Sequence, residues 1–151
     1  MDISIELMPP CTIAFVRRIG PYGAENKNVM ECLKKWAKDR NLLNNSATVL
    51  GIALDSPEKT QPELCRYDAC LVVEEGFVLD SNFVNVRSLI GGKYCTFKIK
   101  HTAEAVREAW GILFSELIKN GFSFDETRTI MERYSVSMVN NHFCEICVPI
   151  R

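Results

Sequence analysis

The chain has 151 residues, 47% hydrophobic and 25% charged, with a formal net charge of −1 and a pI near 6.1. This is the make-up of one globular domain with a sizeable core, and the near-balance of charge excludes a general nucleic-acid binder, which needs a basic excess to displace counterions. No apolar run reaches the roughly 20 residues that span a bilayer, and the opening Met1 to Glu6 lacks the basic and apolar regions of a secretory signal, so a cytoplasmic location is expected.

The apolar spacing switches between period 2 and period 3.6 along the chain. A first strand is expected near Ile3 to Leu7, stopped by Pro9-Pro10, and a second at Cys11 to Arg17, rich in β-formers. Gly20 to Gly23 reads as a turn. Val29, Cys32, Leu33 and Trp36 then recur at i, i+3, i+4 and i+7, which predicts an amphipathic helix from about Ala24 to Arg40. Thr48 to Leu54 is strand-like, Asp55 to Pro62 is a polar loop, and Arg66 to Val73 is a further strand.

Asn85 to Ile90 is one more predicted strand, and Tyr94 to Lys100 another. Thr102 suits the N-cap of a helix over Ala103 to Lys119, ended by Asn120-Gly121 and presenting Val106, Trp110, Leu113, Phe114 and Leu117 as its apolar face. Ile130 to Val136 and Phe143 to Val148 complete the pattern.

The order strand–helix–strand–strand therefore occurs twice, over about residues 11–74 and 92–150. The expected fold is α+β, a single domain over 1–151 of two such modules packed pseudosymmetrically around a central ligand cleft. The seven cysteines are odd in number. Cys11, Cys70, Cys95, Cys144 and Cys147 lie in apolar strands and read as small buried hydrophobes. Cys144 and Cys147 form a C-x-x-C, but three residues apart on a strand they point to opposite faces. His101 and His142 are not in ligand spacing, so no metal and no cofactor is expected.

When Cys70 is set against Cys147, Asp68 and Glu145 take equivalent places inside apolar strands. An acid there faces solvent, pairs with a base or lines a polar cavity, because a bare buried charge is costly. Arg66 is expected to pair with Asp68 along the strand. Glu145 has no base within four residues of its strand apart from His142. It is either an outward residue of a simple alternation or a functional carboxylate. Aromatic side chains are numerous enough to flank such a carboxylate and attract an organic cation.

Four segments carry a family resemblance: Gly20 to Tyr22, Arg66 to Asp68, Gly91 to Cys95 and Glu145 to Pro149. In order and spacing the chain resembles the GyrI-like domains, also met as effector-binding domains of MerR- and AraC-type regulators. The resemblance implies a ligand cleft between the modules, Glu145 as the pocket carboxylate and Tyr94 as a pocket aromatic. Tyr67 and Trp110 join them from their places beside or opposite the cleft. Cys147 stands where many relatives carry an aromatic, which alters the expected pocket shape.

No helix-turn-helix or basic arm precedes the domain, so direct nucleic-acid binding is not expected. The implied partner is a small hydrophobic or cationic ligand, with DNA gyrase or a regulator as a further candidate. Three functions stay open: a binding protein for lipophilic cations, a hydrolase in which Glu145 opens cyclopropane-bearing DNA-alkylating toxins, and a gyrase-interacting protector.

Overall fold

A computed structural model describes residues 2–151. Eight strands and three helices follow the expected order: β1 (Asp2–Met8), β2 (Cys11–Ile19), α1 (Glu25–Asp39), β3 (Thr48–Ala53), β4 (Arg66–Val73), β5 (Asn85–Leu89), β6 (Gly92–Lys100), α2 (Ala103–Lys119), β7 (Met131–Ser135), α3 (Val136–Val139) and β8 (Phe143–Pro149). The single turn of α3 falls where the sequence suggested the end of a strand. Among the described residues no helix is long and apolar enough to cross a membrane.

All eight strands form one antiparallel sheet in the order β1-β6-β8-β7-β3-β4-β2-β5. The order is palindromic in kind: β6, β8 and β7 on one side of the centre mirror β2, β4 and β3 on the other. The two modules meet where β7 pairs with β3 over Thr48↔Ser135 to Ile52↔Met131. The edge strands complete the opposite assignment to their place in the sequence. β1 pairs with β6 of the second module, and β5 with β2 of the first.

The two-residue link Pro9-Pro10 ties edge strand β1 to β2, which lies one strand from the far edge of the sheet, so the sheet must roll. Gly91 shows how tightly the ends meet. A Cβ there would overlap the backbone of Met8, Pro9 and Pro10, so only glycine lets the connection from β5 to β6 cross that link.

Rolling gives the sheet an outer face carrying the helices and an inner face without them. On the outer face α1 packs on β2 and β4 and α2 on β6. Val29, Leu33 and Trp36 bury against Ala14, Val49 and Leu71, and Leu113 and Leu117 against Cys95, Phe97 and Ile146. The inner face holds a third cluster that includes Ile13, Leu50, Ile52, Cys70, Met131 and Cys147.

The predicted helix faces need adjustment: Cys32 is exposed while Met30 and Ala37 are buried, and Phe114 lies largely in solvent, edge-on to Phe124. Thr102 caps α2 as expected, accepting a hydrogen bond from Ala105 N at 3.1 Å, and Gly121 ends it with φ +82°. Asp68 does not pair with Arg66. It is fully buried between Arg17 (2.7 and 2.9 Å) and Arg87 (2.8 Å), while Arg66 turns to Asp55. Antiparallel pairing sets Arg17 directly opposite Asp68, and that cross-strand contact wins over the neighbour two residues away.

Candidate functional site

The seam between the modules is where the sheet alternation sorts chemistry onto two faces. Thr48, Leu50 and Ile52 of β3 and Met131, Arg133 and Ser135 of β7 face inward, whereas Val49, Gly51, Glu132 and Tyr134 face the helices. α1 packs mainly on β2 and β4 and α2 on β6, so the outer face of the seam is flanked by the two helices rather than lying directly under either.

Glu132 is half-buried on this face of the seam. Trp110 of α2 donates its indole N–H to Glu132 Oε2 at 2.8 Å, and the Tyr134 hydroxyl donates to Oε1 at 3.0 Å. Both donors are neutral, and among the described residues Glu132 forms no ion pair. Gly51 sits directly opposite Glu132 in the register. Its missing side chain makes room for Tyr67: a Cβ on Gly51 would collide with Tyr67 Oη and lie 3.5 Å from Glu132 Oε1.

Burial pushes the phenols of Tyr67 and Tyr134 above their ordinary range, and the Glu132 charge pushes them further, so both remain protonated donors. His101 packs edge-on to Tyr134 at 5.5 Å, and beside them the groove deepens into a hollow of about 150 Å³ that Val49, Lys34, Leu43 and Val136 help to line. One uncompensated carboxylate among three aromatic rings attracts an organic cation by charge and by ring quadrupole together. The same carboxylate, beside two phenols, can also accept a proton.

The inner face is organised differently. Glu145 is only 8% exposed, and Arg133, opposite it on β7, donates Nε to it at 2.9 Å. The terminal nitrogens of Arg133 hold Glu6 of β1 through two bonds of 2.9 Å. Those bonds keep the Glu6 carboxyl below its usual range. Arg133 also borders a cavity of about 220 Å³ to which Glu6, Leu50, Leu89, Tyr94 and Met131 contribute. Tyr94 is buried with the Arg128 guanidinium 4.8 Å from its ring centre.

The four residues expected to form one site are thus divided by the sheet. Tyr67 and Trp110 meet in the outer groove, and Glu145 and Tyr94 lie on the inner face, where Glu145 is already charge-compensated and does not border the cavity. Sequence reasoning passed over Glu132, Gly51 and Arg133, and counted Tyr134 only among the aromatics that could flank a carboxylate. The signal lay in Met131-Glu-Arg-Tyr134: alternate residues of a strand at the seam put an acid and a base on opposite faces, each to be matched separately.

A family model described as the GyrI-like small molecule binding domain matches residues 1–151. The chain is 45% identical over 153 residues to the SPbeta prophage-derived protein YosT of Bacillus subtilis, provisionally named a transcriptional regulator, with 100% of each covered. It is 28% identical to DNA gyrase inhibitor 2 of Dickeya dadantii, over 81% of this chain and 78% of that protein. In fold it is similar to SAV2435, solved bound to tetraphenylphosphonium, with a TM-score of 0.68, 14% identity, and 100% and 94% of the two chains covered. It also matches EcmrR from an EcmrR–DNA complex, with a TM-score of 0.74 and 15% identity, covering 99% of this chain but spanning only 57% of that one.

Proposed function

Because the chain belongs to the GyrI-like small-molecule-binding domain family, we propose that it is a cytoplasmic receptor for lipophilic organic cations held in the outer groove. Glu132 is the counter-charge, and Tyr67, Tyr134 and Trp110 are the aromatic walls. The observation that carries this reading is the Glu132 carboxylate, held by two neutral donors and, among the described residues, in no ion pair. The role expected of Glu145 passes to Glu132, because Arg133 already satisfies Glu145. The molecule bound to the fold neighbour SAV2435 belongs to the same chemical class.

Calorimetric titration with methyltriphenylphosphonium and its neutral analogue triphenylphosphine oxide tests the proposal. A charge about 5 Å from a bound cation contributes about 3 kcal/mol at an effective dielectric near 20, and solvent in an open groove reduces this by about half. Glu132→Gln should then weaken the cation about tenfold or more and leave the neutral compound within about twofold. Equal losses for both compounds, or a loss in Glu145→Gln but not in Glu132→Gln, would overturn the assignment.

A second reading rests on the two phenols beside Glu132: the carboxylate takes a proton from water while a tyrosine orients a strained-ring substrate. Cyclopropane opening that proceeds as fast with Glu132→Gln would dispose of it. The relative named a gyrase inhibitor favours a protein partner for the loaded domain, and a supercoiling assay with and without the phosphonium probe decides that reading.

A further inference from the structure

The hollow beside His101 and Tyr134 lies on the outer face, toward the Thr48↔Ser135 end of the seam, and both modules build it. Lys34, Leu43 and Val49 come from the first, and His101, Tyr134 and Val139 from the second. We propose that it is an anion site that takes small aromatic carboxylates of about the size of benzoate.

Charge sets the sign of the ligand. No acidic residue lines the hollow, and Lys34 supplies an ammonium group there. Lys34 is half-buried and, among the described residues, forms no ion pair, whereas its neighbour Lys35 holds Asp39 at 3.1 Å. Glu31, one turn back on α1, is exposed and does not pair with it. A half-buried ammonium without a counter-ion is costly, and an incoming carboxylate relieves that cost. The charged neighbours that act on His101 are bases too. Burial, and then Lys34 and His142, push its imidazole below the ordinary value, so at pH 7 it is neutral and offers one N–H.

Glu132 does not line the hollow; it holds the hydroxyl of Tyr134, whose ring does. The Glu132 end and the Lys34 end of the outer face therefore differ in sign. The anion site goes beyond the cation reading and uses neither Glu132 nor Trp110.

Hydrogen bonding sets the head group. Lys34 Nζ, a ring nitrogen of His101 and the Asn140 carboxamide bring donors from three separate segments. A carboxylate has two oxygens with about four acceptor sites and can take all three, whereas an alcohol offers one oxygen. A phosphate dianion would bring two charges to a single ammonium.

Size and texture set the body. An apolar cavity of about 150 Å³ holds a benzene ring, and this hollow has about that volume, 150 Å³. Leu43, Val49 and Val139 are its apolar walls. Tyr134 and His101, edge-on to each other at 5.5 Å, add aromatic surface for a ring to pack on. A triphenyl cation is too large for it.

The test is a series of amide-resolved NMR titrations with benzoate, neutral benzyl alcohol and cationic benzylamine. Benzoate should saturate at millimolar concentration and shift amides around Lys34, His101 and Val139. The alcohol should bind about tenfold more weakly and the amine weaker still. Lys34→Met, which keeps the apolar stem, should lose about tenfold for benzoate and stay within about twofold for the alcohol, and Lys34→Arg should restore most of the loss. Val139→Trp, which fills the hollow, should abolish binding of both. Lys34→Met should bind methyltriphenylphosphonium no more weakly than the wild type, so failure of the cation reading and failure of this one are seen separately. The spectra report whether each variant folds, and Val139→Trp decides the matter if Lys34→Met does not fold. The proposal is overturned if the alcohol matches benzoate, if folded Lys34→Met binds benzoate as the wild type does, if benzoate shifts only signals away from the hollow, or if no saturation occurs by about 20 mM.

Discussion

Replacing Arg133 with leucine removes the one cation between Glu6 and Glu145 while keeping a side chain of comparable bulk on the inner face. Arg133 and Glu145 are both largely buried, with side-chain exposures of 16% and 11%. Breaking a buried pair and leaving one charge behind costs about 3–5 kcal/mol. Glu6 is better solvated, so its share is below about 1 kcal/mol. A net loss of about 3–4 kcal/mol is expected at pH 7, which for a chain of this size lowers Tm by roughly 6–16 °C.

The pH dependence carries a sign. In the wild type Glu6 is held below its ordinary 4.5 by Arg133. Its contribution is therefore complete above that value and is lost as pH falls through the lower folded value. In the variant the guanidinium that holds Glu6 down is gone, so that contribution is absent and acid has none of it to remove. The stability gap between the proteins should narrow from pH 7 to pH 4. Urea titrations across that range measure it, with Glu145→Gln as a milder control costing about 1 kcal/mol, because Arg133 keeps Glu6. A gap under about 1 kcal/mol at pH 7, or one that does not change with pH, would refute the assignment of this triad as a buried ion cluster.

Other substitutions probe the groove and its frame. Gly51→Ala forces the Tyr67 hydroxyl aside and should cost about 1–3 kcal/mol by overpacking. Adding Tyr67→Phe should recover most of that loss in a double-mutant cycle, whereas simple additivity would show that the two residues do not meet. Thr102→Ala removes the cap on α2 and should lower stability by about 1 kcal/mol, read by thermal melts, with groove affinity unchanged.

Most of the fold could be read from the sequence because its elements are locally encoded. Period-2 and period-3.6 stretches, the Thr102 cap and the Gly121 stop all fall within a few residues of the observed boundaries. The roll of the sheet could not, since it depends on β1 finding β6 more than eighty residues away. The site failed to resolve for the same reason. Glu145 looked bare because its base arrives from the neighbouring strand, and Glu132 drew no notice because its indole partner comes from α2, more than twenty residues away. A carboxylate's worth is set by what lies across the sheet, and pairing register is the quantity that local spacing does not contain.

The exchange of edge strands also governs how the protein comes into being. β1 has no strand to pair with until β6 is synthesised, and its contact between the Ser4 and Thr96 hydroxyls, 2.6 Å apart, spans 92 residues. During translation the first module can assemble from β2, α1, β3 and β4 while β1 waits as an unpaired strand with alternate apolar residues, a stage open to chaperones and to mispairing. Once β1 docks, its two-residue link to β2 ties the modules together. Unfolding of either half must then tear the other, and hydrogen exchange should report one cooperative unit rather than two.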